Sequence, residues 1–402
     1  MTSQARPQNQ DQSRDGKAEI AFRLGEPEVA KQPAAYFAEL RDRCPVAHTD
    51  AHGGFWLLSR YDDVREAAMN ASVVSSASGV TIPPAPNPPS LCLEQDEPEH
   101  RDWRRQMQPW FSPQRIRKME AAVRAIVTEC IDEVIDDGRA DLAEAIAAPV
   151  PALVIGSILG LPEEDWPFFR AKNSEYFRLG EQGDYQGAMA AVNELVGYLS
   201  GQLESRKETP TDDLLTDILN VKVADRPVNG EEAISLSFLL LAAGHETTVG
   251  ALGGMLYHVA RDRQLRDHLI TDPDAISKAV EEALRLEPPL PGLGRMTREP
   301  LTVNGTEIPE AERVMLLFAA ANRDPDVFDN PEDFRLDRAT NHHLAFGYGI
   351  HRCVGAPLAR LEMQIVLEEV LRRMPGLHLP NESDVSVSYA FSRSFSNLKA
   401  AW

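Results

Sequence analysis

Phe346-Gly347-Tyr348-Gly349-Ile350-His351-Arg352-Cys353-Val354-Gly355 is the stretch from which the rest of the chain can be read. Two glycines upstream of a cysteine permit tight backbone turns, so that amide groups can approach and point at the sulfur. A helix predicted from Gly355 to about Met374 follows directly. Cys353 then sits near a helix N-terminus, where partial positive charge favours a thiolate. His351 and Arg352 add positive potential beside it. A buried free cysteine in a glycine-rich turn is the bland alternative. An anionic sulfur in a donor-lined turn suits a soft metal such as haem iron.

Upstream, the apolar pattern predicts a long helix over 231–262, EEAISLSFLLLAAGHETTVGALGGMLYHVARD. It is apolar on most faces at its middle, as a helix buried in a large core is. Yet Glu246, Thr247 and Thr248 fall there, and a buried carboxylate is costly without a partner or a wet cavity. Gly244 weakens the helix locally. The threonine hydroxyls could simply bond back to their own backbone. Between the two segments, Glu282 and Arg285 lie three apart on a helix predicted over 274–286, within salt-bridge reach. Asp272 reads as its cap, Pro273 as its first residue and Pro288-Pro289 as its end.

The remainder is mostly helical, with examples at 114–137, 141–160 and 186–205. Residues 54–60 (GFWLLSR) read as a strand leading into a helix over 61–69. Short strands with a turn at Asn304-Gly305 are predicted over 300–316, and the tail 383–400 returns to strand. Residues 78–98 are Pro-rich, which favours an ordered loop over a helix. Residues 1–18 offer few apolar groups and are expected to be disordered. The 402 residues allow two or three domains, but no composition shift marks a linker, so 19–402 is expected to be one unit.

A net charge of −21 argues against a general nucleic-acid binder. The start has no apolar signal-peptide core, and the longest apolar run is far below the ~18 residues that cross a bilayer, so a cytoplasmic protein that does not enter a membrane is expected. Cys44, Cys92, Cys130 and Cys353 are far apart with no CxxC spacing, which suggests reduced thiols and no zinc site.

The cysteine stretch resembles the haem-binding loop of the cytochrome P450 superfamily, with Phe346, Gly347, Gly349, Cys353 and Gly355 in place. Ala243-Gly244-His245-Glu246-Thr247-Thr248 resembles the same family's oxygen-activation segment, and Glu282 with Arg285 resembles its buried brace pair. The likeness runs from about residue 30 to the end. It implies a single mainly α domain with small β-sheets around a haem b (iron protoporphyrin IX). It implies Cys353 as the iron ligand, Glu246 and Thr247 as the acid and alcohol that deliver protons to dioxygen, and Ala243 and Gly244 beside the cofactor. His100, Arg104, Arg295 and His351 stand where propionate partners are placed. His245 takes no such role and reads as a surface or groove residue. The family's third arginine of the brace is missing, since Asp333 occupies its place in Pro331-Glu332-Asp333-Phe334. Arg335, two residues on, is the open candidate.

The implied reaction inserts one oxygen atom of dioxygen into an organic substrate. A peroxide-using enzyme and a non-catalytic haem-binding sensor or recruitment protein are the alternatives, and both are disfavoured by the intact Glu246-Thr247 pair. By the same resemblance Ile82, Leu93, Leu240, Leu290, Leu293 and Phe391 line the substrate pocket, which suggests a small apolar substrate. The 49 residues after Cys353 are too few for a reductase domain, so electrons are expected from a ferredoxin or similar external carrier with its reductase. Arg101, Arg105, Arg117 and Lys118, with Arg115, Arg352 and Arg360 nearby, form a basic region suited to docking an acidic carrier.

Overall fold

The structure is a computed structural model and describes residues 20–84, 90–389 and 392–402. The expected disordered tail 1–18 lies outside the described residues, as do residues 85–89 of the Pro-rich loop.

The axle is the helix Gly230–Arg261, about 48 Å long at 1.5 Å per residue. Its start is fixed by a capping box: Asn229 accepts the Glu232 N–H at 2.9 Å, and Glu232 accepts the Asn229 N–H at 2.9 Å. It is the one described helix long and apolar enough to cross a membrane, although its longest run of consecutive apolar residues is short. Here it is a core helix. Pro149–Leu159, Tyr185–Glu208, Ile276–Leu286, Ala356–Arg373 and the strand Arg393–Ser396 all pack on it. That explains an apolar character that continues around most of its circumference.

The helical part of the core surrounds this axle. A second part is a five-stranded sheet in the order Val46–Thr49, Phe55–Leu58, Arg313–Leu316, Leu293–Thr297, Val74–Ser75. Only the pairing of Arg313–Leu316 with Phe55–Leu58 is parallel, with Met315 opposite Leu57. Phe55 and Leu57 enter one apolar cluster, and Trp56 and Leu58 enter another on the opposite face. Burial on both faces is why GFWLLSR has no polar alternation.

Most expected elements are present: Tyr61–Met69, the hairpin turn at Asn304-Gly305 with both residues at positive φ, and the tail strands Ser386–Tyr389, Arg393–Ser396 and Lys399–Ala401. Asp272 differs. Its side chain caps nothing, and Pro273–Ala275 is a separate 3-10 turn before the helix Ile276–Leu286. All four cysteines are free.

Candidate active site

The cysteine loop is built by short hydrogen bonds. The Gly347 N–H donates to Leu344 C=O at 2.8 Å, the Cys353 N–H to Phe346 C=O at 2.8 Å, and Gly349–His351 form a 3-10 turn. Gly347 and Gly349 have φ of 67° and 71°. At Gly349 a Cβ would also overlap the Ala68 carbonyl, because the loop lies on the end of helix Tyr61–Met69. The helix Ala356–Arg373 starts three residues after Cys353, and the N–H groups of Gly355 and Ala356 reach the sulfur.

Part of the Cys353 surface is open, but protein packs densely around the sulfur. Burial pushes its thiol up, against the pull of the Gly355 N–H, Arg104, the Ala356 N–H and Arg360. Helix-terminus charge is therefore insufficient by itself, and a bound metal is what would hold this thiol deprotonated. The supporting cation is Arg104. Arg352 is exposed and His351 is held neutral, its pKa pushed down to about 3 by burial and by Arg295, His100 and Arg104.

The four basic residues named from sequence converge beside this loop. His100, on the helix Glu99–Met107, is buried, and its ring lies 4.3 Å from that of His351. Both ring nitrogens of His100 and Nε2 of His351 are buried without a partner among the described residues. Arg295, on strand Leu293–Thr297, is buried, and burial pushes it down to about 10. Among the described residues its guanidinium makes a single hydrogen bond, from NH1 to the Gly294 carbonyl at 2.7 Å. Burial also lowers Arg104. Buried donors without acceptors are costly, so this cluster suits a ligand carrying several anionic oxygens. Together with a crowded thiol, these residues fit an iron porphyrin with two propionates.

The helix Gly230–Arg261 runs unbroken past Gly244, which packs against Ile155. Ala243 is exposed, and Glu246 and Thr247 are half-buried. Thr247 Oγ1 donates to Ala243 C=O at 2.9 Å, leaving its lone pairs free to accept, and Thr248 Oγ1 donates to Gly244 C=O at 3.4 Å. His245 is not at the surface. It is 2% exposed, its Nδ1 lies 2.8 Å from Asn173 Nδ2 on the helix Trp166–Glu181, and burial pushes its pKa down to about 4. The covering helix, which a sequence does not position, makes the difference.

Among the pocket candidates Leu240 is buried, while Ile82, Leu93, Leu290 and Leu293 are half-buried. The Gly294 N–H donates to Val80 C=O at 2.7 Å, which ties the start of the Pro-rich loop, including Ile82, to strand Leu293–Thr297. Phe391 lies outside the described residues.

Glu282 and Arg285 are both fully buried, joined at 2.9 and 2.8 Å. Neither Asp333 nor the Arg335 side chain completes the brace. Arg335 supplies only its N–H, at 2.9 Å from Glu282, and its guanidinium pairs with exposed Asp337. The second guanidinium is that of Arg338, whose Nε lies 2.9 and 3.1 Å from the two Glu282 oxygens, and Asn341 adds a bond at 3.1 Å. Arg285 and Arg338 also bind the loop carbonyls of Pro331, Asp333, Asp329 and Asn330. Arg360 is spent in a similar way: it pairs with Glu281 at 2.6 Å and lies over the Phe346 ring at 4.4 Å. Of the basic region, Arg101 pairs with Glu97 and Arg115 with Asp217. Arg105, Arg117 and Lys118 are exposed and make no ion pair among the described residues.

A cysteine loop at a helix N-terminus, an anion cradle and a core helix carrying an acid and an alcohol are the features of a haem-thiolate protein. The sequence pattern of the family described as Cytochrome P450 matches residues 175–386. The chain is 33% identical over 375 residues to Cytochrome P450 130 of Mycobacterium tuberculosis, covering 89% of this chain and 92% of that protein. It is 32% identical to the Steroid C26-monooxygenase of the same organism over 89% of this chain and 90% of the relative. The solved structure of CYP108D1 from Novosphingobium aromaticivorans superposes with a TM-score of 0.85 at 30% identity, over 94% of this chain and 99% of that one. This chain belongs to the cytochrome P450 family. It is a monooxygenase of the single-domain P450 fold that binds haem through a cysteine thiolate and works with dioxygen, a substrate and an electron-transfer partner.

Proposed function

We propose that this enzyme oxidises a small, mostly apolar organic molecule in the cytoplasm, with electrons from a ferredoxin and its reductase. The observation that carries the site assignment is the convergence of His100, Arg104, Arg295 and His351, with unpartnered buried nitrogens, beside Cys353. Cys353 holds the iron, and the N–H groups of Gly355 and Ala356 hold the sulfur. Arg104 and Arg295 neutralise the propionates, the neutral rings of His100 and His351 donate hydrogen bonds to them, and Phe346, Gly347, Gly349 and Gly355 shape the loop. Haem b bound there supplies the oxidation of substrate by dioxygen. Ala243 and Gly244 give the central helix a low face toward the cofactor. Glu246 carries protons inward from solvent, and Thr247 Oγ1, already donating to Ala243, accepts and passes them on.

Ile82, Leu93, Leu240, Leu290 and Leu293 supply an apolar wall, and Phe391 is assigned to the same pocket. One relative is named for acting on a steroid, an apolar ring system. The test is a compound series read by the haem spin-state shift, followed by product analysis with a ferredoxin and reductase. Apolar compounds should give the shift and an oxygenated product. A response confined to polar or charged compounds would contradict the substrate class.

A further inference from the structure

One turn past Thr247 the central helix carries Gly250, and one turn further Gly254. A Cβ on Gly250 would overlap the Arg393 carbonyl oxygen, and one on Gly254 would lie 2.8 Å from the Glu287 Cβ. This bare helix face admits two segments at close range: the tail strand Arg393–Ser396 and the residue that ends helix Ile276–Leu286. The Arg393 N–H donates to Pro289 C=O at 2.7 Å and ties the two segments together.

Their side chains form a buried network. The Glu287 carboxylate receives Arg393 Nε, lies 3.0 Å from His258 Nε2 and 3.9 Å from Arg323. Arg393 NH1 donates to Ala30 C=O at 2.7 Å, and its guanidinium lies over the rings of Tyr389 and Phe395 at 4.4 and 5.2 Å. Arg323 NH2 donates to Leu286 C=O at 2.7 Å. Glu287 is pushed down to about 2 and Arg393 is raised, so the pair stays ionised. Apolar packing of similar volume could stabilise such a place equally well. What a guanidinium fork adds is direction.

We propose that Glu287 and Arg393 are positioning residues of the substrate pocket. Seated on the glycine face of the central helix, they fix how far Pro289–Leu293 and Ser392 stand from Thr247, and so set the size of molecule admitted. This rests on the reading that those segments line the pocket.

The test uses haem-loaded protein and two probes, imidazole and phenylimidazole, followed by the haem spectral shift. Both ligate through the same nitrogen, but only the second needs pocket volume. Arg393→Gln should change the affinity ratio of the two probes by roughly tenfold, equivalent to about 1.4 kcal/mol of differential binding. Amide exchange over 392–396 should rise, and the thiolate-haem spectrum should remain. Arg393→Lys keeps the charge but loses the fork, and should not restore the ratio. Since breaking a buried pair can prevent folding, Gly250→Ala provides a second route: it removes no charged side chain and pushes the Arg393 backbone off the helix. It should shift the ratio in the same way. Leu290→Trp, which obstructs the pocket directly, separates the two levels. If Leu290→Trp changes the ratio while Gly250→Ala and Arg393→Gln do not, the positioning role is wrong. If Leu290→Trp also leaves it unchanged, the pocket assignment fails and the proposal falls with it.

Discussion

The Thr247 hydroxyl spends its hydrogen on Ala243 C=O, the back-bond expected of a helical threonine, and keeps its acceptor capacity, which is what the proton-handling role we propose for it requires. Thr247→Ala should therefore keep haem binding but divert electrons from product to hydrogen peroxide. The measurement is peroxide and product per reductant consumed, and unchanged coupling would remove Thr247 from the mechanism. Glu246→Gln should mainly slow turnover, because an ionisable proton carrier is lost. Two residues away, His245 makes a pH prediction. Burial lowers its folded pKa to about 4, against 6.5 ordinarily, so the folded state disfavours the proton. Below pH 6.5 the unfolded chain takes up that proton first. Stability is full above that value and is lost as pH falls towards 4, by on the order of 3 kcal/mol. Denaturant midpoints between pH 7 and 4 should therefore fall less steeply in the double variant Asn173→Leu/His245→Leu than in the parent. Equal slopes would show that His245 is not a source of acid sensitivity. That Glu246 and Thr247 fall in the middle of the core helix was legible in the sequence, because their residue types conflict with an apolar helix. The burial of His245 was not, because it depends on where the helix Trp166–Glu181 docks.

Helices and loops show the same division. The helix Ala356–Arg373 was legible to within a residue or two from its apolar period, and so was Gly230–Arg261. The brace around Glu282 was legible only in its local half. Arg285 sits one helical turn away, but Arg338 comes from a loop 56 residues on, where several charged side chains compete and only the chain path chooses among them. Removing Arg338 leaves the buried Glu282 carboxylate underpaired and breaks three hydrogen bonds to the loop carbonyls of Asp329, Asn330 and Asp333. Arg338→Ala should cost about 3–5 kcal/mol in urea unfolding. Arg335→Ala should cost no more than about 1 kcal/mol, since its side chain pairs with a 72% exposed aspartate. Equal losses from the two variants would overturn the assignment of Arg338.

At the scale of the whole molecule, the fold class followed from one ten-residue loop and the helical periodicity around it. What lay beyond sequence was the pairing of distant charges. Arg360 beside the cysteine loop is bound to Glu281, and Arg115 to Asp217, so the basic region reduces to Arg105, Arg117 and Lys118 with exposed Arg352. On a chain of net charge −21 these four are the residues we propose to steer an acidic carrier. Arg105→Glu with Arg117→Glu should slow reduction by a ferredoxin and flatten its salt dependence, while substrate binding holds. Carrier-driven reduction that is unaffected across a salt series would exclude this face. The cofactor seat itself is tested by reducing the haem-loaded chain, adding carbon monoxide and recording the Soret band. The expected result is a thiolate-ligated spectrum that is lost in Cys353→Ala and kept when Cys44, Cys92 or Cys130 is replaced. A histidine-type spectrum from freshly folded protein, or one unchanged in Cys353→Ala, would contradict it.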